Sequence, residues 1–222
     1  MGDLRRLIVF DLDGTLVDSE RDLADAVNAL LTERGADALP RAAIASMVGD
    51  GAAVLVRRAF DAARLQMDAT TLPRFLELYD ERLLDTTRPY PGIVGALDVL
   101  ERHGVLAVLT NKPLAHTRRL LEALGLASFF SDVIGGDGPF ARKPDAAGLR
   151  HLMTHHETAA RRTVVVGDSH IDAATARAAG AAFCLARYGF GARTLPPDVL
   201  QPSDRAADSP AAVSSAVLQL LT

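Results

Sequence analysis

A short apolar run that ends in two aspartates constrains this chain more than any other feature. Residues 7–10, Leu-Ile-Val-Phe, contain no polar side chain, which is typical of a strand buried on both faces. Asp11 and Asp13 lie two apart, so an extended backbone points both carboxylates the same way, and Gly14 allows a sharp turn. Two carboxylates beside a buried strand need a cation between them, or one must stay protonated. The run therefore predicts a metal site, a paired acid and base, or both.

Strand and helix patterns alternate from about residue 90 onward. Strands are predicted at 105–109, 132–134, 163–166 and 181–185, and helices at 93–103, 113–124, 146–156, 171–179 and 211–221. Such alternation is typical of a parallel sheet with helices on both faces. The fold class predicted is therefore α/β, a doubly wound, Rossmann-like parallel sheet.

A helical block interrupts this α/β pattern directly after the first strand. Ser19 is predicted to cap a helix, with Asp22 in capping-box register, and further amphipathic helices follow at 42–47, 52–64 and 72–84. Pro89, Pro91 and Gly92 end the block. We expect a core domain of residues 1–15 and 90–222 and an inserted helical cap of residues 16–89. Because ligands bind beyond the carboxyl ends of parallel strands, the cap is placed to act as a lid.

Composition favours a small soluble substrate. The 222 residues carry a formal net charge of −4 and no long block of Lys or Arg, which argues against nucleic acid and membrane surfaces as partners. The single cysteine, Cys184, excludes an internal disulfide and is expected in the core. We expect a cytoplasmic protein, a monomer or a homodimer.

Polar residues follow several of the predicted strands. They are Asp11, Asp13, Thr110, Asn111, Lys143, Asp168 and Asp172. If the strands are neighbours, these side chains converge on one crevice. Carboxylates without a Cys or His cluster form an oxygen-ligand site that suits Mg²⁺ better than zinc. A lysine, a hydroxyl and backbone N–H groups near that metal would form a phosphate site.

These residues occur in the order of four motifs of a known family. The chain resembles the haloacid dehalogenase superfamily of phosphotransferases: Asp11-Leu12-Asp13-Gly14-Thr15 is similar to its first motif, Thr110-Asn111 to the second, Lys143-Pro144 to the third, and Gly167-Asp168-Ser169 through Asp172 to the fourth. The resemblance covers essentially the whole chain, including a helical cap after the first motif. It implies a phosphatase that works through an aspartyl-phosphate.

The resemblance also implies roles for individual residues. Asp11 would attack phosphorus, and Asp13 would protonate the leaving oxygen and later activate water. The metal ligands would be Asp11, Asp168, Asp172 and the carbonyl of Asp13. The other catalytic residues would be Lys143, which offsets negative charge, and Thr110, which holds phosphate together with the substrate-binding Asn111.

Within the superfamily the chain most resembles bacterial phosphoglycolate phosphatases, notably at residues 48–52 and 172–176. That implies a small phosphorylated metabolite, 2-phosphoglycolate, as substrate. A mutase of the β-phosphoglucomutase type, a phosphatase for a sugar phosphate, pyrophosphate or a nucleotide, and a non-catalytic binding protein stay open as alternatives.

The carboxylate of such a substrate would need donors from the cap. Gly51 can expose backbone N–H groups at the start of a helix, and Arg58 can make a planar two-pronged contact. Alternatively, Arg58 lies on a solvated face beside Arg57. Tyr79 is expected to be a packing residue.

Overall fold

The first strand, β1 (Leu7–Phe10), lies at the centre of a six-stranded sheet, and all four of its residues are buried. The computed structural model describes residues 5–221. The other strands are β2 (Val17–Asp18), β3 (Arg88–Pro89), β4 (Val105–Leu109), β5 (Asp132–Ile134), β6 (Thr163–Gly167), β7 (Ala182–Ala186) and β8 (Arg205–Ala207). The α-helices are α1 (Glu20–Glu33), α2 (Arg41–Ala45), α3 (Ala52–Ala62), α4 (Thr71–Arg82), α5 (Ile93–Leu100), α6 (Leu114–Ala123), α7 (Ala147–His155), α8 (His170–Ala179) and α9 (Val213–Leu220).

The sheet is parallel throughout, in the order β5-β4-β1-β6-β7-β8. Strand β1 pairs with β4 on one side and β6 on the other, so that Phe10 lies level with Val108 and Val166. The backbone N–H of Asp11 continues the ladder by donating to the carbonyl of Val166 at 2.9 Å. The chain reverses its direction of winding at β1, which places a ligand crevice beyond the carboxyl end of that strand. The predicted doubly wound α/β fold is confirmed.

Alternate residues of the strands pack into two separate apolar layers. Ile8 and Phe10 face a layer that includes residues of α5 and α9, whereas Leu7 and Val9 face one that includes residues of α7 and α8. The period of two along a strand explains this division. Cys184 is buried in the first layer, as expected, and burial raises the pKa of its thiol to about 12.

Helices α1–α4 lie between β1 and β4 in the sequence, where the helical cap is predicted. A two-stranded antiparallel ribbon that the sequence did not predict joins the two ends of this segment: Val17 of β2 pairs with Pro89 of β3, and Asp18 with Arg88. Two residues per strand are too few to give a periodic signal.

The predicted capping box at Ser19 is wrong. The Ser19 side chain makes no cap hydrogen bond, and its hydroxyl instead donates to Asp13 at 2.6 Å. Asp22 accepts from both backbone and hydroxyl of Thr86 and Thr87. Tertiary partners with better geometry therefore replace the local cap. None of the helices within residues 5–221 has the length and apolar character of a membrane-spanning helix.

Candidate active site

The carboxyl ends of the neighbouring strands β1 and β6 and the loop before α7 bring together residues of the predicted crevice. Asp11 follows β1 and Asp168 follows β6, while Lys143 comes from the loop before α7. The Lys143 ammonium lies 2.9 Å from Oδ1 of Asp11 and 2.6 Å from Oδ1 of Asp172. One cation thus binds carboxylates from two separate segments of the chain.

Asp172 owes its position to the start of α8. Its side chain accepts hydrogen bonds from the backbone N–H and hydroxyl of Ser169, and the Ser169 hydroxyl accepts from the Asp172 N–H. This is a capping box, which satisfies backbone donors at a helix start. The cap holds Asp172 fully buried beside Lys143.

Asp168 lies in a space that only glycines leave open. A Cβ on Gly14 would approach its Oδ2 to 1.9 Å, and one on Gly191 to 2.8 Å. The Gly191 N–H donates to the same oxygen at 2.8 Å. Gly14 also has a φ of +81°, a conformation that glycine adopts without a steric penalty. The turn at Gly14 after β1 therefore leaves room for the carboxylate of Asp168 after β6.

The electrostatics of this group fit a divalent cation. Carboxylate oxygens of Asp11, Asp168 and Asp172 lie within 4.8 Å of one another, and all three residues are buried. Burial raises the pKa of Asp11 to about 6 against the opposing charge of Lys143, and burial also raises the pKa of Asp168. One ammonium among three buried carboxylates leaves net negative charge, and buried charge is costly unless it is balanced. An all-oxygen set of this kind suits a hard cation.

Asp13 has partners outside that group. Its two oxygens lie 3.0 Å from the Lys112 ammonium, and Oδ1 accepts from the Ser19 hydroxyl at 2.6 Å. Asp11 and Asp13 both follow β1 but have different partners. Asp11 belongs to the candidate metal group, and Asp13 pairs with the Lys112 ammonium. Two carboxylates in different environments are suited to different chemical roles.

A cavity of about 50 Å³ lies between the strand ends and the inserted helices. Its polar lining includes Asp11, Asp13, Thr110, Lys112 and Asp168, and the inserted helices contribute Leu23, Ala52, Leu55, Phe75, Leu76 and Tyr79. Tyr79, expected to be only a packing residue, is buried and stacks on Phe75, yet its hydroxyl also accepts from Lys112 at 2.5 Å. The inserted segment thus supplies a polar group to the cavity.

Thr110 and Asn111 differ in what they offer a ligand. Both line the cavity, but the side-chain amide of Asn111 donates to the carbonyls of Gly49 and Lys143, each at 2.9 Å. That amide therefore fixes the two loops on either side of the cavity. Gly51, the N-cap residue of α3, also lines the cavity. Direct binding of substrate by Asn111 and Gly51 stays a prediction.

Arg58 lies on a different part of the inserted segment. Its guanidinium forms a 2.6 Å ion pair with Asp50 and donates to the carbonyl of Met47 at 2.9 Å. Arg58 is not among the residues that line the cavity. Its role in binding substrate stays a prediction, but Lys112 is a cation already within the cavity.

Sequence reasoning passed over Lys112, although a signal was present. Of the 24 Lys and Arg residues, two are lysine, Lys112 and Lys143. Both are buried, and each pairs with an aspartate of the first motif. In a chain that otherwise uses arginine, a lysine three residues after a strand indicates a specific role for a compact ammonium.

The class of protein follows from two features: the doubly wound parallel sheet, and the acidic site at the carboxyl ends of its strands beside an inserted helical segment. The sequence profile of the haloacid dehalogenase-like hydrolases matches residues 8–186, and the chain belongs to that family. The resemblance inferred from the four motifs is confirmed.

Several relatives of this chain within the family carry the name phosphoglycolate phosphatase. A phosphoglycolate phosphatase of Rhodospirillum rubrum is 44% identical over 194 residues, which span 83% of this chain and 80% of that protein. The plasmid phosphoglycolate phosphatase of Cupriavidus necator is 38% identical over 190 residues, or 82% of this chain and 81% of that protein. A crystal structure from Haemophilus somnus, described as a predicted phosphoglycolate phosphatase, superposes with a TM-score of 0.87 at 30% identity and covers 97% of this chain and 99% of its own.

Proposed function

We propose that this chain is a Mg²⁺-dependent phosphatase that hydrolyses 2-phosphoglycolate to glycolate and phosphate through an aspartyl-phosphate on Asp11. One observation carries the proposal: the two aspartates after β1 face different partners, Asp11 the buried acidic group with Lys143, and Asp13 the cavity with Lys112. The names of the relatives support the choice of substrate.

Two displacements at phosphorus make up the proposed reaction. In the first, a carboxylate oxygen of Asp11 forms a bond to phosphorus while the bond to the ester oxygen breaks, and Asp13 donates a proton to that leaving oxygen. In the second, Asp13 takes a proton from water, the water oxygen bonds to phosphorus, and the bond to Asp11 breaks. Phosphoryl transfer depends on positioning and charge stabilisation, which suits a fixed carboxylate.

The remaining residues would stabilise charge. Lys143 lies between Asp11 and Asp172, where it would offset the negative charge that phosphate adds. Asp11, Asp168, Asp172 and the Asp13 carbonyl would hold the metal, with Asp172 acting directly or through water. When bound, Mg²⁺ would neutralise charge between the nucleophile and the phosphate. Thr110 would bind a phosphate oxygen.

The size and lining of the cavity favour a small acid over a sugar. A volume of about 50 Å³ exceeds the ~10–15 Å³ that admits one water molecule by a margin that suits a ligand of few atoms. Leu23, Leu55 and Phe75 make part of the lining apolar, and this part offers no hydrogen-bond partner to the hydroxyls of a hexose. Hydroxyls buried without partners cost binding energy.

We further propose that residues 16–89 form a cap over a core of residues 1–15 and 90–222. The ribbon of β2 and β3 supports these boundaries, because it joins the chain where it leaves and re-enters the sheet domain. A cytoplasmic location and a monomeric or homodimeric state are predictions from the sequence.

A panel of phosphorylated compounds tests the function. Purified protein should release phosphate from 2-phosphoglycolate with the highest kcat/KM, ahead of hexose phosphates, pyrophosphate and nucleoside monophosphates. EDTA should abolish the release and Mg²⁺ restore it. Isomerised sugar phosphate without free phosphate would identify a mutase instead, and no turnover of any compound would favour a binding protein.

A further inference from the structure

Lys112 is a buried cation that has no role in the proposed reaction. It is 6% exposed, and its ammonium contacts both oxygens of Asp13 at 3.0 Å and the Tyr79 hydroxyl at 2.5 Å. The ammonium also lies 4.5 Å from the centre of the Tyr79 ring. Burying a lysine is costly, so its position in the cavity wall calls for a function.

Among the described residues that line the cavity, Lys112 is the one Lys or Arg. Lys143 is engaged by Asp11 and Asp172, and Arg58 by Asp50. Arg142 donates to the carbonyl of Gly136. Lys112 is therefore the cation that the cavity wall itself presents to a second anionic group of a ligand.

The location of Lys112 fixes where that second anion would lie. Asp13 is the proposed proton donor to the leaving oxygen, and Lys112 is 3.0 Å from it. A ligand group in contact with Lys112 is thus beside Asp13 and close to the leaving oxygen. In 2-phosphoglycolate one methylene carbon separates the leaving oxygen from the carboxylate.

We infer that the Lys112 ammonium, together with the Tyr79 hydroxyl, binds the carboxylate of the substrate and makes the enzyme selective for phosphate esters of small 2-hydroxy acids. This inference rests on the proposed function and deepens it. Phe75 and Leu76, the apolar side chains beside Tyr79 in the cavity lining, offer a carboxylate no hydrogen bond, so the Tyr79 hydroxyl and the Lys112 ammonium are the polar groups at this point of the wall. Charge-assisted hydrogen bonds of this kind are stronger than neutral ones.

A matched pair of substrates tests the inference. 2-Phosphoglycolate has a carboxylate where 2-hydroxyethyl phosphate has a hydroxymethyl group. The kcat/KM for 2-phosphoglycolate divided by that for 2-hydroxyethyl phosphate therefore measures recognition of the carboxylate. Lys112→Met should lower this ratio about 100-fold, because it removes a buried charged contact. Tyr79→Phe should lower it several-fold, chiefly through KM for 2-phosphoglycolate. Arg118→Met, which removes an exposed cation from α6 outside the cavity, should leave the ratio unchanged.

Equal losses on both substrates in Lys112→Met would overturn the inference, since Lys112 would then act only through Asp13. A fall in the ratio for Arg58→Ala, with Lys112→Met unchanged, would also overturn it. Thermal melts establish that each variant folds. If Lys112→Met does not fold, Tyr79→Phe decides, and an unchanged ratio in Tyr79→Phe rejects the inference. If the wild-type enzyme itself has a ratio of the two kcat/KM values near one, the proposed function is rejected, because the enzyme then does not prefer 2-phosphoglycolate.

Discussion

The ammonium of Lys143 lies 2.6 Å from Asp172 and 2.9 Å from Asp11, so that one buried cation joins a helix start to a strand end. Asp168 completes the group and is held by the N–H of Gly191. The group carries more negative than positive charge when all three carboxylates are ionised. Its stability should therefore depend on a cation from solution.

Mg²⁺ should raise the melting temperature of the wild-type protein. A ligand present at a hundred times its Kd stabilises the folded state by about 2.7 kcal/mol. Asp168→Asn should abolish the shift, because an amide keeps the shape but not the charge. The measurement is a thermal melt with and without MgCl₂, with NaCl at equal ionic strength as the control. No shift in the wild type, or an equal shift in Asp168→Asn, would count against a metal held by these residues.

Gly14→Ala should remove activity and the Mg²⁺-induced shift in melting temperature. The new Cβ would lie 1.9 Å from Oδ2 of Asp168, and the φ of +81° adds strain. Gly35→Ala is the matched control, since Gly35 has a similar φ of +77° but open space around its Cβ position. It should cost about 1 kcal/mol of stability and leave kcat/KM intact. Similar activity losses in both variants would show that strain, and not displacement of Asp168, is responsible.

Asp22→Asn should destabilise the protein by about 2–3 kcal/mol, because the donors of half-buried Thr86 and buried Thr87 lose a charged acceptor. Burial alone would raise the pKa of Asp22, but these hydrogen bonds outweigh it and lower the pKa below its ordinary value of 3.8. The stabilisation is therefore present above 3.8 and is lost as pH falls through the lower folded-state pKa.

Urea unfolding at neutral and at acidic pH checks this prediction. The free-energy difference between wild type and Asp22→Asn should shrink on acidification. Asp25→Asn, which removes an exposed partner of Arg21 at 3.5 Å, should change stability little at either pH. A difference for Asp22→Asn that stays constant with pH would reject the sign of the pKa shift.

The sheet could be predicted from sequence because its signals are local. Residues 7–10 are apolar without interruption, and the strand after residue 163 is β-branched, so burial on both faces follows directly. Aspartates at the ends of these strands then had to converge, because parallel strands end at the same edge. The clustering of Asp11, Asp168 and Asp172 could therefore be predicted from the sequence.

The features that were missed depend on side-chain contacts between different elements or loops of the folded chain. Ser19 satisfies the local rule for a helix cap, yet its hydroxyl bonds to Asp13 across the turn. Lys112 contacts Tyr79, 33 residues earlier, and this pairing depends on how the inserted helices dock. Arg58 has a partner in Asp50, which neither periodicity nor spacing indicates. Such choices are decided by tertiary geometry, which overrides local propensity.

The proposed covalent step at Asp11 can be tested by acid quench during turnover of 2-phosphoglycolate followed by peptide mass spectrometry. We expect a phosphoryl group on the peptide that contains Asp11. It should be removed by hydroxylamine and be absent from a folded Asp11→Asn variant, whose kcat should be lower by several powers of ten. Turnover by Asp11→Asn at a tenth of the wild-type rate, with deamidation to Asp excluded, or a phosphoryl group on a different residue, would contradict it.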